Sequence, residues 1–116
     1  MQYLLMLYAN EHGWSELPKT EQARWMAAYQ AYTEALTSAG ARVGSNRLND
    51  SGTATTVRVA DGKTHVLDGP YADSKEQLGG YYLIDVPDLD AAISWAARCP
   101  AASHGTIEVR PVWAPQ

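Results

Sequence analysis

Gln2-Tyr3-Leu4-Leu5-Met6-Leu7-Tyr8 places apolar side chains on both faces of an extended segment, with Tyr3, Leu5 and Leu7 on one side and Leu4, Met6 and Tyr8 on the other. A strand buried on one side alternates apolar with polar residues, so this one is expected to be covered on both. No basic flank precedes it and no small-residue cleavage site follows it, so it reads as a strand rather than a leader. Tyr81 to Val86 repeats the pattern as far as Asp85. Two such strands need more cover than one layer of helices supplies.

The rest of the chain follows from these two segments. Asn10 to Ser15 reads as a loop, with Pro18 suited to a first helical turn. From there to Ala39, Trp25, Met26, Tyr29, Tyr32 or Thr33, Leu36 and Ala39 recur at three- and four-residue steps, an apolar helical stripe. Ser15 or Thr20 can cap that helix, and Gly40 suits its left-handed stop. Ala41 to Leu48 and Thr53 to Ala60 read as strands. Asp61-Gly62 is a type I′ turn signal that sends Lys63 to Leu67 back along its partner. Pro87-Asp88 opens a second helix with Leu89, Ala92, Ile93 and Ala96 inward and Pro100 at its end. Thr106 to Trp113 is a final strand, which Pro111 assigns to an edge or a bulge.

The order β-α-β-hairpin-β-α-β is an α+β, ferredoxin-like sandwich with an inserted β-hairpin. Two helices cover only one face of its sheet. The second face is expected to pair sheet-to-sheet with another copy, giving a homodimer and a dimeric α/β barrel.

All 116 residues are expected to form a single domain, since the chain is too short for two cores. Nothing approaches the run of about 20 apolar residues that spans a bilayer. The formal net charge of −4 and scattered basic residues give no face for nucleic acid or for an anionic membrane. A lone Cys99 excludes an internal disulfide and fits a reducing cytoplasm.

Asp68-Gly69-Pro70-Tyr71, Lys75-Glu76 and Gly79-Gly80-Tyr81-Tyr82 stand in order after the first strand and the helix ending at Gly40, and before the closing Glu108-Val109-Arg110-Pro111. Together these resemble the DGPF-type, YCII-related domains, with Tyr71 where the family's name has Phe. The resemblance covers nearly the whole chain. It implies a dimeric ferredoxin-like fold with a small cleft between sheet and helices. Members are sometimes associated with alternative sigma factors, and relatives in the wider group act on small ring compounds. Related proteins are proposed to use a His-Asp pair with the His on the first helix. That helix has none here, offering Trp25, Met26 and Tyr29 instead, so any catalysis would rest on Asp68, Tyr29 or a His from elsewhere.

Among candidate site residues, Asp68 stands first. A carboxylate at a strand end beside Pro70 and Tyr71 can serve as a general base, or can simply hold the turn before Pro70. Ser74 to Gln77 matches a capping box and predicts a short helical turn closed by Gly79-Gly80. Glu76 either points towards Arg110 across a cleft or is solvated. Arg110 either meets a carboxylate at an interface or clamps a substrate carboxylate or phenolate. Tyr8 and Tyr82 are expected to orient the substrate. His12 is either a partner for Asp68 or an exposed loop residue. His12, His65 and His104 are far apart in sequence and lack metal-site spacing, so no metal is expected; with no P-loop or dinucleotide fingerprint, no cofactor is expected either. Two functions remain in view. One is cofactor-independent proton transfer, elimination or oxygenation on a small ring compound; the other is a non-catalytic binding or regulatory dimer module.

Overall fold

In the computed structural model, which describes residues 1–114, a four-stranded antiparallel sheet carries the domain. Its strands are β1 (Gln2–Ala9), β2 (Arg42–Arg47), β5 (Gln77–Asp85) and β6 (Thr106–Pro111), in the spatial order β2-β5-β1-β6. The hairpin β3 (Thr55–Ala60) and β4 (Lys63–Asp68) forms a separate two-stranded ribbon. The helices are α1 (Glu11–Glu16), α2 (Lys19–Ser38) and α3 (Leu89–Arg98). This is a ferredoxin-like sheet arrangement in an α+β fold.

The register explains the layers. Tyr3 lies opposite Ile84, and Leu5 opposite both Tyr82 and Val109, so these side chains share the helix-covered face. Tyr3, Leu5, Leu7, Tyr82 and Ile84 are buried there with Tyr32 and Leu36 of α2 and Ala92 and Ala96 of α3. Tyr32 crosses the Tyr82 ring edge-to-face at 5.1 Å and donates its hydroxyl proton to the Trp95 carbonyl at 2.7 Å. A buried phenol thus keeps a partner for its polar tip.

The other sheet face holds Leu4 opposite Leu83 and Arg110, and Met6 opposite Tyr81 and Glu108. Its apolar side chains are half-buried, not enclosed. The sheet is open, ending at β2 and β6, and no barrel closure is found among the described residues. The expected dimeric α/β barrel is therefore corrected to an open sheet with helices on one face. Apolar alternation on both sides overstated the cover required, because neighbours in the sheet shield one another and a large share of any folded surface stays apolar.

Several local expectations also change. Asn10 to Glu16 is not a loop: Asn10 caps α1 by accepting from the His12 N–H at 3.0 Å. Neither Ser15 nor Thr20 caps α2, whose start is Pro18 without a side-chain hydrogen bond. Gly40 does take positive φ, 71°, as Ala41 N–H returns to the Leu36 carbonyl at 3.0 Å. No helical turn follows Ser74, because β5 already begins at Gln77 and Gly79-Gly80 lie within it. On α3 the small residues Ala92 and Ala96 face inward, while Leu89 and Ile93 are about half exposed (48% and 50%). Asp61 and Gly62 both have positive φ, 52° and 71°, as the hairpin turn requires.

Candidate functional site

Helix α2 is packed unevenly, and the site arises from that. Its C-terminal half rests on the core through Tyr32 and Leu36, both buried. Its N-terminal half carries Trp25, Met26 and Tyr29 over a part of the sheet with little to fill the space. There β5 presents Gly80, opposite Leu7 on one side and Arg47 on the other. A side chain at Gly80 would meet the Asn46 carbonyl oxygen at 2.9 Å from its Cβ, so the floor is bare for want of room. The result is a cavity of about 730 Å³ between the sheet, α1 and α2, a size suited to a small organic molecule.

Aromatic and apolar side chains form most of its walls: Leu7, Trp14, Trp25, Met26, Tyr29 and Tyr82. The rim is tied down by polar contacts. Glu11 accepts from the Ser51 N–H at 2.9 Å and from the Ser51 hydroxyl at 2.5 Å, which lowers its pKa. The Glu11 N–H donates to Gln77 Oε1 at 3.0 Å, and Gln22 Nε2 donates to the Trp14 and Leu17 carbonyls at 3.0 and 3.2 Å. Helix α1 is thereby held over the cavity from three elements.

Polar groups converge at one wall. The Tyr29 hydroxyl lies 3.4 Å from Nε2 of His104, whose ring meets Trp25 edge-on with centroids 4.7 Å apart. His104 follows the 3₁₀ turn Pro100–Ser103, so residues distant in sequence meet across the mouth. Burial raises the Tyr29 pKa well above the ordinary phenol value, with the nearby Cys99 and Tyr82 adding to the effect and Arg47 opposing it. Tyr29 therefore stays a protonated donor at neutral pH. Thr33 Oγ1 spends its proton on the Tyr29 carbonyl at 2.9 Å, so in its 2.8 Å contact with Tyr82 the Tyr82 hydroxyl is the donor. That leaves the Tyr82 oxygen able only to accept. Burial raises the Tyr82 pKa as well.

Of the residues singled out in the sequence, Tyr29 and Tyr82 line this cavity. Asp68 does not: it ends β4, exposed, opposite Thr55 at the end of the hairpin away from its turn. Arg110 pairs with Glu108 on the open sheet face, where Tyr8 also lies in register with Thr106. Asp68 and Arg110 do not converge. Glu76 accepts from the Thr106 hydroxyl at 2.9 Å rather than meeting Arg110. His12 sits in the first turn of α1, exposed and outside the lining. Sequence reasoning missed His104 and Arg47 as lining residues; neither lies in a motif, and only the fold brings them to Tyr29 and Trp14. Among the described residues no cluster of three or more His, Cys, Asp or Glu is placed to hold a metal.

Residues 1–115 match the model of the YCII-related domain. An uncharacterized protein of Rhizobium meliloti (strain 1021) is 39% identical over 114 residues, covering 97% of this chain and 92% of that protein. Among solved structures, the 5-chloro-2-hydroxyhydroquinone dehydrochlorinase of Burkholderia phenoliruptrix AC1100, in complex with 2,5-dihydroxybenzoquinone, superposes with a TM-score of 0.60 at 15% identity, over 99% of this chain and 96% of that one. At that identity the likeness is one of fold.

Proposed function

We propose, from the premise that this chain belongs to the YCII-related domain family, that its cavity binds a small ring compound and moves a proton on it without a cofactor. The observation that carries this reading is the Tyr29–His104 pair at the wall of an aromatic-lined space. A ring hydroxyl entering there gives its proton to Nε2 of His104 as general base. The Tyr29 hydroxyl, kept protonated by burial, donates to the oxygen on which charge develops. Tyr82, restricted to accepting, orients a second ring hydroxyl. The dehydrochlorinase of like fold is named for a chlorinated hydroxyhydroquinone, and loss of hydrogen chloride from any ring requires that a proton be taken up by a base.

The test uses a panel of chlorinated and hydroxylated benzenes, including 5-chloro-2-hydroxyhydroquinone, with product followed by ultraviolet absorbance. Turnover by the wild type should fall between about 100-fold and 10,000-fold in His104→Gln, with a smaller loss in Tyr29→Phe. Asp68→Asn distinguishes the two candidate bases. Activity lost with Asp68→Asn but kept with His104→Gln would place the chemistry elsewhere.

A homodimer is part of the same proposal, supported by the half-buried apolar residues of the open sheet face. So is a cytoplasmic location, which a lone thiol suits. No helix among the described residues is long and apolar enough to cross a membrane.

A further inference from the structure

We infer that Arg47 selects the ligand, and that the cavity takes ring compounds bearing an anionic oxygen group, a carboxylate or phenolate, with this guanidinium as counter-charge. The inference rests on the ring-binding reading of the cavity and adds to it a substrate class.

Three features of Arg47 support it. First, its register position opposite Gly80 puts it on the helix-covered face where β5 has no side chain to oppose it. Second, its Cζ lies 4.8 Å from the centroid of the Trp14 ring, and Nη1 approaches the Met26 sulfur at 3.4 Å. Stacking on an indole fixes the guanidinium plane and leaves its N–H edge available. A thioether is a weak acceptor, so the fork lacks the carboxylate it is shaped to receive. Third, among the described residues no carboxylate stands within ion-pair distance of it, and of the arginines without such a partner (Arg42, Arg47, Arg58 and Arg98) it is the one that lines the cavity.

The acidic residues of the lining do not take that place. Both oxygens of Glu11 are turned to Ser51. Asp50, on the rim, stands beyond ion-pair distance. The guanidinium charge does reach the cavity interior, since it opposes the rise in the Tyr29 pKa. An anionic ring seated on Trp14 and Trp25 therefore meets Arg47 at one end and Tyr29–His104 at the other.

Benzoate and benzamide make a matched pair of probes, alike in ring and size but different in charge. Binding is read from intrinsic tryptophan fluorescence, since Trp14 and Trp25 line the cavity, and checked by calorimetry. Wild-type protein should prefer benzoate by about tenfold, the worth of one well-made charge-assisted contact. That preference should weaken as salt is raised. In Arg47→Met it should collapse to within about twofold, and in Arg47→Lys, which keeps the charge but not the planar fork, it should be intermediate. Circular dichroism of each variant confirms the fold. Equal binding of both probes by the wild type, or a preference that survives Arg47→Met, overturns the role of Arg47 while leaving ring binding intact. Failure of both probes to bind at millimolar concentration overturns the ring-binding reading and this inference with it.

Discussion

At the scale of single residues, Cys99 shows how burial sets chemistry. It is 2% exposed at the end of α3, and burial pushes its thiol up to about 11. A thiol in the unfolded chain begins to ionise near its ordinary value of about 8.5. Between those two values the unfolded state holds fewer protons than the folded one, so stability falls as pH rises. The loss from this group reaches about 2 kcal/mol by pH 10.5 or so. Urea midpoints at pH 8 and pH 10 should separate accordingly, and Cys99→Ala should flatten most of that difference; an unchanged slope in the variant would contradict this assignment. Above pH 10 the raised phenols of Tyr29, Tyr32 and Tyr82 add their own loss in the same direction. The sequence showed Cys99 only as a lone thiol, without its burial. It could not pair His104 with Tyr29, since 75 residues separate them and no local pattern links a 3₁₀ turn to the first long helix. Asp68 stood out because it sits in a polar signature, yet in the fold its end of that signature lies beside the ribbon, and only the later part, Gly79 to Tyr82, reaches the cavity.

At the scale of elements, α2 was legible as a helix from its apolar spacing, but its division of labour was not. One stripe supplies core residues at its C-terminal end and cavity walls at its N-terminal end, and periodicity cannot tell an apolar side chain that packs from one that borders a void. Leu36 is fully enclosed, so Leu36→Ala should cost about 2–5 kcal/mol. Met26, 49% exposed, should cost less than about 1 kcal/mol on the same change. Denaturant midpoints of the two variants measure the contrast; similar costs would mean the N-terminal half is packed after all. Helix α3 teaches a related lesson. Of the expected inner face, Ala92 and Ala96 are buried, but Leu89 and Ile93 are about half exposed, so the helix turns its small residues and not its large ones to the sheet. Helix α1 escaped notice because six residues containing Gly13 carry too little helical propensity to register.

For the molecule as a whole, the element order and the ferredoxin-like sheet were readable, since strand spacing and turn residues constrain them. The closed barrel was not there to be read. What the open face offers is a surface of Leu4, Met6, Tyr81 and Leu83 in register, flanked on the β6 side by Glu108 and Arg110, while the ribbon exposes Val57, Val59, Val66 and Leu67. Light scattering should return a dimer at micromolar concentration, and a monodisperse monomer would remove self-association from the proposal. Strand β1 also has a bearing on how the chain assembles. It is hydrogen-bonded on one side to β5 and on the other to β6, so both of its neighbours are made long after it. Until residues 106–111 leave the ribosome, this apolar strand has an unsatisfied border, and its pairings join segments far apart in sequence. Nascent protein is thus open to misassociation through β1 until those partners emerge, a hazard that no local turn removes.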